Sequence, residues 1–79
     1  MAQHFTQWPK ATVLVKGRMY TFWAGYDSEG RLTVMQRIGC GDNCITGEWF
    51  DDIADAQVWV SRSTNRADLA TWLGLVLAR

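Results

Sequence analysis

The sequence predicts an α+β fold: an antiparallel β-meander sheet of about 4–5 strands with one C-terminal amphipathic helix packed on one face. Three observations carry this prediction. The turn Asp27-Ser28-Glu29-Gly30 sits between two stretches whose apolar residues alternate in matching register. A β-rich stretch at residues 11–15 and a further alternating stretch at 56–62 flank that hairpin. Leu69, Trp72, Leu73, Val76 and Leu77 recur at the i, i+3, i+4, i+7, i+8 spacing that lays one apolar stripe along a helix.

Residues 1–10 form an N-terminal arm with two aromatics, Phe5 and Trp8, and a proline, Pro9, that stops any helix. Either the arm packs those aromatics against the sheet, or it stays apart and orders on a partner. Ala11 to Val15 is rich in β-formers, and Lys16-Gly17 can return the chain at once. A two-residue loop there sets Val13 opposite Tyr20 and Leu14 opposite Met19.

The central hairpin runs from Arg18 to Ile38. Asp at the first turn position and Gly at the fourth suit a type I turn followed by a left-handed glycine. That bulged turn opposes Asp27 to Arg31, Ala24 to Val34 and Phe22 to Gln36. Tyr20, Phe22, Ala24 and Tyr26 then share a face with Leu32, Val34 and Ile38. A plain four-residue loop would instead set Phe22 beside Met35 and Tyr20 beside Arg37. A slip by one residue turns every side chain over, so the apolar pattern supports the bulged register independently of the turn chemistry.

Gly39 to Cys44 reads as a loop, and Ile45 to Phe50 as a fourth strand weakened by Gly47. Asp51 to Ala56 suits one helical turn with Ile53 and Ala54 inward. From Ala56 to Arg62, Ala56, Val58 and Val60 alternate with Gln57, Trp59 and Ser61, the pattern of a half-buried strand. Ser63 or Thr64 caps the final helix, which runs to about Ala78, with Asp68 and Arg79 at the ends its macrodipole favours. Gly74 weakens this helix and permits close approach to the sheet. The chain is thus one domain: an arm over 1–10, a sheet over 11–62 and a helix over 64–78.

Composition narrows the function classes. The 79 residues carry eight basic and eight acidic side chains, so general attraction to nucleic acid or an anionic membrane is not expected. The N-terminus lacks a basic region followed by an apolar run, and the longest apolar run is about a third of what a bilayer span needs. These features suit a soluble, cytoplasmic chain. Cys40 and Cys44 form a C-x3-C pair with no further ligands nearby, since His4 is the one histidine, and are read as structural. No serine stands in a nucleophile context, and no cofactor motif occurs. The expectation is a non-enzymatic protein without metal or cofactor.

Two features point to a partner. From Cys40 to Ala56 the chain carries Asp42, Glu48, Asp51, Asp52 and Asp55 without a lysine or arginine. Such a block is either a solvated face or an edge steered to a basic groove. In the bulged register Trp23 opposes Met35, and both point away from the helix-covered face, as Trp59 does from its expected strand. Either the arm covers this patch or it is a partner-binding surface, since Trp and Met are enriched in interface cores. The partner-binding set is therefore Trp23, Met35 and Trp59 as anchors, with Glu48, Asp51, Asp52 and Asp55 for steering. An alternative is a single-stranded nucleic-acid binder stacking bases on the outward aromatics beside Arg18, Arg31 and Arg37. The same patch, or an open sheet edge, also suits a symmetric homodimer.

In size, in its sheet with one C-terminal helix and in the Glu48–Asp55 acidic segment, the whole chain resembles the small phage-encoded anti-CRISPR proteins. That class has no diagnostic motif, so the resemblance implies no functional residue. It implies an inhibitor, in the cytoplasm of a bacterial host, that blocks a CRISPR–Cas complex by covering a protein subunit. The zero net charge departs from the strongly acidic DNA-mimic members and favours capping of a subunit over mimicry of long DNA.

Overall fold

The structure is a computed structural model and describes residues 5–39 and 44–78. After a short 3-10 turn at Phe5–Gln7 come four strands, β1 (Lys10–Val15), β2 (Arg18–Tyr26), β3 (Leu32–Ile38) and β4 (Ile45–Phe50). Two helices follow, α1 (Ile53–Thr64) and α2 (Ala67–Leu77). The strands form one antiparallel sheet in the order β1-β2-β3-β4.

Both expected hairpin registers are present. Val13 pairs with Tyr20 and Leu14 with Met19; Ala24 pairs with Val34, Phe22 with Gln36 and Trp23 with Met35. The Asp27 turn works as its chemistry demands. Asp27 Oδ1 accepts the backbone N–H groups of Glu29 and Arg31, both at 2.9 Å, and Gly30 takes a left-handed φ of 81°. Lys16 and Gly17, at φ 51° and 80°, make the tight turn from β1 to β2.

The stretch 56–62 is helix, not a fifth strand, and Ser63 and Thr64 end α1 rather than cap α2. Asp52 caps α1, its Oδ1 accepting the Asp55 N–H at 2.9 Å. Ala56, Val60 and Thr64, spaced four apart, then face inward and are buried, while Val58 is 52 % exposed. A strand would have buried Val58 beside Val60. Asn65 stops the helix in a left-handed conformation at φ 55°, its N–H bonding Ser61 O at 2.7 Å. Coverage explains why two helices are needed. Four strands about 4.8 Å apart span about 15 Å, wider than one helix of about 10 Å.

The apolar stripe of α2 lies where its spacing put it: Leu69, Leu73 and Leu77 are buried, with Trp72 and Val76 packed beside them. These leucines meet Phe22, Ala24, Leu32 and Val34 of the sheet and Ala56 and Val60 of α1. Gly74 serves a different contact from the expected one. A Cβ there would stand 3.0 Å from Gln57 Nε2, so the glycine brings α2 close to α1, and Gln57 donates to Ala70 O at 2.7 Å. At the far end Tyr26 Oη donates to Leu77 O at 2.7 Å, tying the last turn of α2 to β2.

The arm folds over the opposite, outer face. Phe5 meets the Trp23 ring edge-on at 5.2 Å between centroids, and Trp8 lies directly on Gly25. Ala24 N–H donates to Pro9 O at 3.1 Å, stitching the arm to β2. Of the C-x3-C pair only Cys44 is described, and it is exposed; Cys40, His4, Asp42 and Arg79 lie outside the described residues.

Candidate functional site

The three expected anchors do not share a surface. Trp23 is 4 % exposed, covered by Phe5 and by the Arg37 guanidinium 5.4 Å above its ring. Met35 is half-buried and lies over Gly47, where an added Cβ would come 2.5 Å from its sulfur. Trp59 belongs to α1, on the other side of the sheet. Its ring packs at 5.6 Å from Phe50 and 6.5 Å from Phe22, so it closes the core instead of extending the outer face. Reading 56–62 as a strand is what placed it with Trp23.

The carboxylates do gather, and the topology shows how. Leu32 pairs with Phe50, so the end of β4 lies beside the Asp27–Gly30 turn. The chain passes through Asp51 and Asp52 into the first turn of α1, which carries Asp55. One end of the molecule therefore holds Asp51, Asp52 and Asp55 together with Asp27 and Glu29. Glu48 is exposed further back along β4, opposite Val34. Among the described residues neither Glu48 nor Asp51, Asp52 or Asp55 has an ion-pair partner.

Arg31 is the cation at this end, and its charge is already committed. Its Nε lies 3.2 Å from Asp27 and an Nη 3.2 Å from Glu29. The Arg31 backbone N–H, followed by that of Glu29 and the guanidinium, holds the Asp27 carboxyl below its ordinary 3.8.

Beside Arg31 stands an aromatic that sequence reasoning passed over. Trp49 is 55 % exposed on the open edge strand β4, with the Arg31 guanidinium 5.2 Å from its ring centroid. It flanks a groove with apolar walls from Tyr26, Leu32, Phe50 and Ile53 and a rim of Arg31, Asp51 and Asp52. The signal for Trp49 was its parity: it opposes Thr33, on the outer face, in the last column of the sheet. That parity follows only from the β3–β4 register, which no recognisable turn sets.

The site brings together an exposed indole, an apolar cleft and a carboxylate rim, groups that can make apolar and ionic contacts. No group of three or more potential metal-ligating side chains occurs among the described residues, and no helix is long and apolar enough to cross a membrane. No family model, curated protein or solved structure matches the chain.

Proposed function

We propose that this chain is a small non-enzymatic binding protein that caps a basic surface on a protein partner with its acidic end. The exposed Trp49 beside an apolar groove rimmed by Asp51 and Asp52 carries the proposal. A half-exposed tryptophan gives a rigid anchor with a large apolar area. Carboxylates without ion-pair partners around it offset part of their desolvation cost when they meet arginines or lysines, and they speed encounter with a basic patch. Trp49 takes over the anchoring role expected of Trp23, Met35 and Trp59, while Asp51, Asp52, Asp55 and Glu48 keep theirs.

The resemblance to small anti-CRISPR proteins supports a protein subunit of a CRISPR–Cas complex as the partner, inhibited by being covered. Base stacking has less support. The exposed indole stands among carboxylates that repel a phosphate backbone, Arg31 is held by Asp27 and Glu29, and Trp23 is covered.

The test is retention of a purified CRISPR–Cas complex by the tagged protein after nuclease treatment. We expect a Cas subunit to be retained, and Trp49→Ala to weaken its binding by about tenfold or more. Asp52→Asn separates charge from folding, because asparagine caps a helix as well as aspartate does. It should weaken binding at low salt while costing the fold no more than the helix-dipole share of the charge, about 0.3–1 kcal/mol. Retention of nucleic acid alone, or equal retention by wild type and Trp49→Ala, overturns the proposal.

A further inference from the structure

The opposite end of the molecule holds a second cleft, between the β1–β2 turn and the end of α1. Lys16, Arg18 and Arg62 line it together with Tyr20, Thr64 and Asn65. The three cations come from three separate places: the turn, the first residue of β2 and the last turn of α1. No carboxylate lines the cleft, and among the described residues none of the three has an ion-pair partner. The chain's other arginine at this end, Arg66, is by contrast held by Asp68 at 2.8 Å.

Two ordinary explanations for these cations fail. Basic residues near a helix C-terminus often serve its unpaired carbonyls. Here none of the three does so: among the described residues no side-chain hydrogen bond from Lys16, Arg18 or Arg62 reaches a helix carbonyl, and Ser61 O is taken by the Asn65 N–H at 2.7 Å. Lys16 is not there for the turn either. It holds a left-handed φ of 51°, where glycine, asparagine or aspartate would sit more easily. Asn65, the other non-glycine at positive φ among the described residues, lines the same cleft, and its side-chain amide is not used for capping.

We propose that this cleft is an anion site that takes the phosphate group of a small phosphorylated molecule. A phosphate dianion offsets the mutual repulsion of Lys16, Arg18 and Arg62 and accepts charge-assisted hydrogen bonds from all three, with Asn65 as a further donor. The ligand is small because the basic surface does not continue into a track. Arg37 lies against Trp23 on the outer face, Arg31 is ion-paired, and the far end is acidic. The site is independent of the Trp49 groove.

The test is titration of the isotope-labelled protein with inorganic pyrophosphate, and separately with inorganic phosphate, at low ionic strength, followed by amide chemical shifts. We expect saturable shifts confined to Lys16, Gly17, Arg18 and residues 62–65. Arg18→Gln and Arg62→Gln should each weaken pyrophosphate binding by about tenfold. Lys10→Gln, which removes an exposed cation elsewhere, and Trp49→Ala should leave it unchanged. The spectrum of each variant reports its folding directly. Absence of saturation up to about 10 mM pyrophosphate overturns the proposal, since such a site would be too weak to matter. So does equal weakening by Lys10→Gln, which would mean attraction by net charge alone. Binding of a single-stranded oligonucleotide that pyrophosphate fails to displace would likewise replace it with a nucleic-acid surface.

Discussion

Gly25→Ala is the sharpest probe of how the outer face is closed. The methyl group would stand 2.5, 2.7 and 2.7 Å from Cδ2, Cε2 and Cγ of Trp8. Carbon atoms in contact sit about 3.5–4.0 Å apart, so the indole must withdraw by about 1 Å. A gap of that size forfeits roughly a quarter to a half of its attraction to the surface below. It also drags Phe5, in the adjoining 3-10 turn, away from Trp23. Overpacking of this kind costs about 1–3 kcal/mol, and we expect about 2 kcal/mol at this site. A domain of this length has roughly 4–12 kcal/mol in total, so the midpoint of urea unfolding should fall by about 1–2 M. Native-state hydrogen exchange should localise the loss: the Ala24 N–H, bonded to Pro9 O, should exchange faster. In a Trp8→Ala background the same substitution should cost nothing, and could gain a few tenths of a kcal/mol, because glycine is a poor strand residue. An equal cost in both backgrounds would refute the claim that Trp8 rests on Gly25.

Gly74→Ala sets two effects of similar size against each other. It gains about 1 kcal/mol of helix propensity and crowds Gln57 Nε2 off Ala70 O, losing about 1 kcal/mol; melting should show near-neutrality alone but a gain of about 1 kcal/mol in a Gln57→Ala background. Acid unfolding should register Asp27 and Asp68. The Arg31 backbone N–H lowers the first and the Arg66 side chain the second, each from an ordinary 3.8. Because the folded values are depressed, both carboxylates contribute in full above the ordinary value, and the contribution disappears as pH falls through the lowered one. Asp27→Asn with Asp68→Asn should therefore flatten the loss of stability as pH falls below about 5, measured by urea midpoints.

The parts legible in the sequence are those whose local chemistry and long-range pattern agree. Asp27 and Gly30 specify the central turn, and the alternation of Phe22, Ala24, Leu32 and Val34 selects the same register. The stripe of α2 needs no partner to be recognised. Residues 56–62 are different, because Ala56, Val58 and Val60 fit period two as well as Ala56, Val60 and Thr64 fit a helix. Tertiary demand decides, since the sheet needs a second helix to cover it. The cue that was present is Asp52 with its partner Asp55 three residues on, a cap opening a helix rather than a single turn. The same misreading carried Trp59 to the wrong side. Of the candidate site, the carboxylate block was readable as charge, whereas Trp49 depended on a strand register that the sequence between β3 and β4 does not encode.

The separation of charge between the two ends has a plain competitor explanation, the macrodipole of α1. Asp55 lies in its first turn and Arg62 in its last, each where the helix field favours it. That accounts for those two residues and for the capping oxygen of Asp52. It does not reach Asp51, which precedes the cap, nor Lys16 and Arg18, which belong to the β1–β2 hairpin and touch the cleft from the sheet side. A helix-stabilising role also predicts that the cations bond the last carbonyls of α1, and among the described residues none of the three makes such a bond. The two ends therefore carry charge beyond what the fold uses, one around an exposed indole and the other around a polar cleft. Residual charge placed against a concave surface suits ligand binding, which supports the separate occupant proposed for each end.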